Sequence, residues 1–181
     1  MYWFTSDTHF GHENIIKYTN RPFKTLEEMN ETLITNWNNR VQPTDTVFFL
    51  GDFCFKNGPN GKKGEGISIK ADDWIARLNG RIVFIKGNHD NNNGLKTIIT
   101  EAVIEIGGYD INLVHNPAHL DVGFKFNFCG HVHGKWKFQT TKKNVLVNVG
   151  VDVWNFRPIN YQEIMEEFTK WQKEFTKKET Q

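Results

Sequence analysis

The stretch Val47-Phe48-Phe49-Leu50-Gly51-Asp52 decides how this chain is read. Its apolar run makes a buried strand over residues 46–50, and Gly51-Asp52 ends that strand with a carboxylate at its C-terminal tip. The same construction recurs along the chain. Tyr2-Trp3-Phe4 comes before Asp7-Thr8-His9, and Ile82-Val83-Phe84-Ile85 before Gly87-Asn88-His89-Asp90. Ile111-Asn112-Leu113-Val114 then runs into His115, and Phe126-Asn127-Phe128 into Gly130-His131-Val132-His133. Strands that share a sheet deliver their C-terminal ends to one edge, so these distant segments can converge there. Their Asp, Asn and His side chains are hard and borderline ligands, which predicts a dinuclear metal site.

Between the strands the spacing predicts helices. A short helical stretch over 14–18 follows the loop Gly11-His12-Glu13. Thr25-Leu26-Glu27-Glu28 has capping-box spacing, and Leu26, Met29, Leu33 and Trp37 recur at helical intervals up to Arg40. Residues 71–78 read as a helix closed by Asn79-Gly80, and 81–86 as a parallel strand. Gly107-Gly108, between the strands 102–106 and 109–115, signals a hairpin. Two further strands fall at 124–129 and 144–149. Asn160, with Glu163 three residues on, caps a last helix whose apolar stripe is Ile164, Phe168, Trp171 and Phe175. The tail from Lys177 is expected to fray. Residues 56–66, rich in Gly, Lys and Asn, read as a mobile surface loop. Its lysines either help to hold an anionic substrate or belong to a solvated linker.

A length of 181 residues suits one domain with a real core, so 1–181 is taken as a single domain. The 22 Lys+Arg and 21 Asp+Glu leave a net charge of +1, which gives no overall basic field for nucleic acid. No apolar run approaches the roughly 20 residues that span a bilayer, and the N-terminus enters a strand without a charged n-region. A soluble, unexported, cytoplasmic protein is expected. Cys54 and Cys129 make neither a zinc spacing nor a disulfide framework. Each is two residues from a proposed ligand, but buried thiols in a reducing compartment are the favoured reading.

Taken one at a time the polar segments say little. A lone His115 is usually a surface or satisfied core residue, and Gly-Asn-His-Asp alone is a good turn. His131 and His133 would share one face in a strand, which alone is weak evidence. Together and in this order, the segments resemble the calcineurin-like metallophosphoesterase superfamily. The strings Ser6-Asp7-Thr8-His9-Phe10-Gly11-His12 and Val149-Gly150-Val151-Asp152-Val153-Trp154 also resemble its small bacterial and phage phosphoesterases.

That resemblance implies a four-layered αββα sandwich of two mixed sheets flanked by helices. It implies Asp7, His9 and His133 on one divalent ion, and Asn88, His115 and His131 on the other. Two ions roughly 3.5 Å apart need a bridging anion, and Asp52 has that role. A bridging hydroxide would attack phosphorus in line with the leaving group. His89 is the expected general acid, Asp90 the residue expected to hold its ring, and Asn88 a donor to the phosphoryl oxygen. His12, three residues beyond His9, is a candidate for substrate binding. The ligands suit Mn²⁺ first, with Fe²⁺, Ni²⁺ or Zn²⁺ as alternatives.

Asp52 is followed by Phe53-Cys54-Phe55-Lys56 instead of the Asp-Arg-Gly element of protein phosphatases, which argues against that substrate class. No second domain for large substrates is evident, so a small, open site is implied. The expected function is hydrolysis of a small nucleotide-like phosphodiester. The alternatives are a phosphomonoesterase of the same fold and a non-catalytic scaffold that binds protein. Structural zinc binding fits poorly, since it favours closed Cys/His sets. Phe10, Phe53, Phe55 and Trp154 are candidates to stack on a base, although core packing is the commoner role of such side chains.

Overall fold

The computed structural model of the chain describes residues 1–55, 65–66, 69–91, 93–141 and 143–179, with side chains up to Glu174. In chain order the regular elements are β1 (Tyr2–Thr5), α1 (Glu13–Tyr18), α2 (Leu26–Asn38), β2 (Thr46–Leu50), α3 (Ala71–Ile75) and β3 (Arg81–Ile85). They continue with β4 (Glu101–Ile106), β5 (Tyr109–Val114), β6 (Phe126–Cys129), β7 (Phe138–Thr140), β8 (Val145–Asn148), β9 (Ile159–Asn160) and α4 (Tyr161–Glu179).

Side-chain alternation on the first strands sets the layering. Trp3, Val47 and Phe49 point to one face and pack with Met29, Leu33 and Trp37 of α2 and Trp74 of α3. Phe4 and Leu50 point to the other, where they join Ile111, Leu113, Phe126 and Phe128 of the second sheet and Ile164 and Phe168 of α4. Phe4 and Phe128 meet edge to face across this joint, ring centroids 5.1 Å apart. The first sheet has the order β3-β2-β1-β9 and the second β4-β5-β6-β8-β7. Both are mixed: β1, β2 and β3 are parallel, as are β5, β6 and β8, with antiparallel strands at the edges. Two mixed sheets with helices packed on them form the sandwich that the resemblance implied.

Both caps read from the sequence are made. Thr25 Oγ1 accepts the Glu28 N–H at 3.1 Å. Asn160 and Glu163 exchange bonds, Glu163 N to Asn160 Oδ1 at 2.9 Å and Asn160 N to Glu163 Oε2 at 3.2 Å. Gly107 and Gly108, at φ 61° and 76°, turn the β4–β5 hairpin. Elsewhere the chain differs from expectation. α3 stops at Ile75, and α4 continues to Glu179, beyond the point where fraying was expected. β7 and β9, of three and two residues, are too short for a periodic pattern and exist because β8 and β1 offer them partners. The Phe175 side chain and residues 56–64 of the expected loop lie outside the described residues.

The consequence for function is a shared rim. A parallel bridge joins Ser6 to Gly150, and Val151 N donates to Ser6 O at 3.1 Å, so the C-terminal ends of β1 and β8 meet. Phe128→Ala should therefore cost about 3–5 kcal/mol, read from denaturant unfolding, because it empties the joint between the sheets. A midpoint equal to wild type would contradict this packing.

Candidate metal centre

Five of the candidate ligands leave their strands in left-handed backbone conformation. Asp7 (φ 58°), His9 (50°), Asp52 (59°), His131 (70°) and His133 (50°) all do so. Such residues cost on the order of 1–3 kcal/mol and persist where the surroundings over-determine them. Here the loops bind one another: Asp7 N donates to Gly51 O at 3.0 Å, His9 N to Asp52 O at 3.2 Å, and Gly130 N to His115 O at 2.9 Å. Glycine permits the approach. A Cβ on Gly87 would overlap Asp52, and one on Gly130 would overlap Ser6 Oγ and lie 2.5 Å from Asp7 Oδ2.

The loops present two groups of donors. Asp7, His9 and His133 offer ligand atoms within 4.8 Å of one another, and so do Asp52, His115 and His131. Asn88 joins the second group, its Oδ1 2.9 Å from His115 Nε2 and 2.8 Å from His131 Nδ1. Asp52 faces both groups: its Oδ2 is 3.6 Å from His9 Nε2 and 3.4 Å from His115 Nε2. Its Oδ1 accepts the His89 N–H at 2.8 Å. His131 and His133 do not share a face, because β6 ends at Cys129 and their left-handed turns aim the two rings at different groups.

Neighbouring acceptors select the inward-facing nitrogen of two rings. Leu50 O lies 2.7 Å from His115 Nδ1, and a carbonyl only accepts, so that nitrogen carries a proton and Nε2 faces the cluster. Asp152 Oδ2 does the same for His133 Nδ1 at 3.0 Å. Among the described residues His9 Nε2 is buried with no hydrogen-bond partner, an arrangement that a coordinated cation would relieve. This orphaned nitrogen and the mixed carboxylate, amide and imidazole set fit divalent metal ions.

The charges point the same way. Burial opposes ionisation of Asp52, but the hydrogen bond and charge of His115, aided by His9, outweigh it and hold the carboxyl well below its usual range. Burial likewise opposes the charging of His115, and its bond to Asp52 with the charges of Asp7 and Asp52 lifts it to about 9. Burial pushes His9 well down and Asp7 up. The carboxylates thus draw positive charge to the centre of the cluster.

His89 and Asn88 are exposed beside these groups, with the His89 ring centroid 5.5 Å from that of His9. Asp90 does not hold the His89 ring, contrary to expectation. Its Oδ2 accepts from Asp52 N and Gly87 N, both at 2.8 Å, and its Oδ1 from Phe53 N at 3.0 Å and Asn93 Nδ2 at 2.9 Å. The turn that puts Asp90 N 3.4 Å from Gly87 O carries the carboxylate under the loop, where it ties the Gly-Asn-His-Asp segment to Gly51-Asp52.

His12 lies beside the cluster, its ring 5.7 Å from His9 and stacked on Phe55 at 4.4 Å. Burial, with the charges of His89 and Arg21, lowers it to about 4, so at neutral pH it offers a hydrogen bond and no charge. His119 is exposed. Phe10, Phe53 and Trp154 are core residues, and of the four aromatic candidates only Phe55 is partly open. Cys54 and Cys129 are buried and belong to neither donor group, and burial pushes the Cys54 thiol up to about 12. Two residues were missed by sequence reasoning: Asp152, which orients His133, and Arg21, which binds Asp152. Asp152 lies in the string that resembled small phosphoesterases, whereas nothing in the motifs marked Arg21.

A family model described as calcineurin-like phosphoesterase matches residues 2–174. The uncharacterized protein MJ1445 of Methanocaldococcus jannaschii is 43% identical over 164 residues, 86% of this chain and 84% of that protein. The gene 66 protein of Mycobacterium phage L5 is 39% identical over 88 residues, 49% of this chain and 39% of that protein. Among solved structures, the Aquifex aeolicus protein AQ665, of unknown function, matches with a TM-score of 0.66 at 26% identity, over 92% of this chain and 98% of that one.

Asp90→Ala strips acceptors from four buried donors, and each unmet donor costs about 1–3 kcal/mol. Denaturant unfolding should show a loss of about 3 kcal/mol or more, whereas His89→Ala should stay within about 0.5 kcal/mol of wild type. The opposite order would return Asp90 to the His89 ring.

Proposed function

The chain belongs to the calcineurin-like phosphoesterase family, a family of metal-dependent phosphoesterases, and from that premise we propose that it hydrolyses a small phosphodiester at a dinuclear centre. The observation that carries this reading is the place of Asp52 Oδ2 between His9 Nε2 and His115 Nε2, one from each donor group. A shared carboxylate is what two adjacent cations need.

Asp7, His9 and His133 would hold one ion, Asn88, His115 and His131 the other, and Asp52 both. When bound, the pair supplies Lewis acidity and a nucleophilic water of lowered pKa. Mn²⁺ suits the oxygen donors Asp7, Asp52 and Asn88, while Fe²⁺, Ni²⁺ or Zn²⁺ would suit the imidazoles. The protein supplies the rest. His89, exposed at the edge of the donor groups and anchored through its N–H to Asp52, gives the leaving oxygen its proton. Asn88 turns its Oδ1 to two imidazoles, which leaves its Nδ2 to donate to a phosphoryl oxygen. His12, neutral, donates a further hydrogen bond to the substrate.

A preference for diesters is supported by the shape around His131. Two clefts share that residue as a wall, one of about 260 Å³ reaching Lys86 and His119, the other of about 360 Å³ reaching Tyr18 and Lys135. A monoester carries one organic substituent and a diester two, so a cleft on either side fits the latter. Tyr18, 71% exposed, offers a planar surface and Lys135 a positive charge, as a nucleotide-like substituent would require.

Metal-stripped protein refilled with Mn²⁺ should hydrolyse a bis-aryl phosphate faster than the matching aryl monoester. His89→Ala should slow the diester about 10²-fold with both ions retained, and less with a more acidic leaving group. Asp52→Asn should abolish turnover and loosen both ions. A monoester preference would overturn the diester assignment, and cleavage independent of metal would overturn the whole reading.

A further inference from the structure

Arg21 is buried, 5% exposed, and spends its guanidinium on one half of the cluster. Its Nε donates to Asp152 Oδ1 at 2.8 Å and its Nη2 to Asp152 Oδ2 at 3.0 Å, a bidentate pair. Nη2 also donates to Asp7 O at 2.7 Å, and Nη1 to Thr8 O at 2.9 Å. The Phe156 ring lies 5.8 Å from the guanidinium carbon. Asp152 Oδ2, in turn, accepts the hydrogen bond of His133 Nδ1–H.

We propose that Arg21 and Asp152 are positioning residues that build the Asp7/His9/His133 site and leave the Asp52/Asn88/His115/His131 site to other supports. The two carbonyls that Arg21 holds belong to Asp7 and to Thr8, which lies between the left-handed residues Asp7 and His9. Its carboxylate partner orients the third ligand. One buried cation thereby braces the backbone that carries Asp7 and His9 and, through Asp152, the ring of His133, the three donors this ion does not share. Among the described residues no hydrogen bond of Arg21 or Asp152 reaches the other set. A link between the sets is the His131 N–H on the Asp7 carboxylate, at 3.0 Å to Oδ2, while the other set rests on Leu50 O beneath His115 and on the Asp90 tether beneath Asp52. Taking a guanidinium and a carboxylate out of water is costly, and such pairs add little to stability. A requirement for orientation explains its presence here. Lysine could not substitute, because a point charge cannot serve a carboxylate and two carbonyls in one plane.

The inference rests on reading Asp7, His9 and His133 as ligands of one ion, so the test has an arm that needs no metal. In metal-free full-length protein, ¹⁵N spectra of the histidines above neutral pH should place the His133 proton on Nδ1, and Asp152→Ala should shift it toward Nε2. An unchanged tautomer overturns the proposal, whether or not any ion binds.

The second arm is titration with Mn²⁺ followed by electron paramagnetic resonance and calorimetry. Wild type should take two ions. Asp152→Ala and Arg21→Lys should keep one at wild-type affinity and weaken the other by about 10- to 100-fold. Asp152→Asn retains an oxygen that can accept from His133 and should fall between, which guards against a variant that merely misfolds. Asp152→Ala combined with His131→Ala should leave no tight ion. Equal weakening of both ions, no weakening, or one tight ion surviving in the double variant would each overturn the proposal.

Discussion

A single buried oxygen, Oδ2 of Asp52, faces the rings of His9 and His115, and much of the structure serves to keep it there. β2 is flanked by β1 and β3, so the loop after it is walled by the loops that carry Asp7 and Asn88. Asp90 grips the backbone of Asp52 and Phe53 from below. His89, the proposed acid, is tied to the same carboxylate through its N–H. A change at Asp52 would be felt by both donor groups and by the proton donor.

The architecture explains how one chain can hold so many donors in strained backbone. The parallel strands of each sheet bring their ends to one rim, and the Ser6–Gly150 bridge joins the two rims. Hydrogen bonds between loops then hold five left-handed ligands that no isolated segment would keep. The two proposed ion sites differ in their supports. One hangs from a buried guanidinium, the other from a backbone carbonyl and a carboxylate tether. The first has Asp7 and His9 nearly inaccessible and meets a cleft at His133, and the second has Asp52 and His115 buried and opens at Asn88 and His131.

The sequence revealed most where structure is locally encoded. Apolar runs ending in Asp, Asn or His gave the strands and the rim, since a strand's end and its first polar residue are neighbours in the chain. Caps at Thr25 and Asn160 were legible for the same reason. What stayed hidden depends on distance along the chain. Arg21 finds Asp152 across 131 positions, and no spacing rule reports such a pairing. Asp90 sits next to His89, yet a turn sends its carboxylate to Asp52, so adjacency in sequence misled. β7 and β9 owe their existence to partners, and their short sequences carry no period of their own.

If two ions share Asp52, both must lie against its carboxylate. Anomalous diffraction at the manganese edge from crystals soaked in Mn²⁺ tests it directly. Two peaks should appear about 3.5–4 Å apart, both in contact with Asp52. One should be ringed by Asp7, His9 and His133, the other by Asn88, His115 and His131. A single peak, or two peaks with Asp52 touching only one, would contradict it.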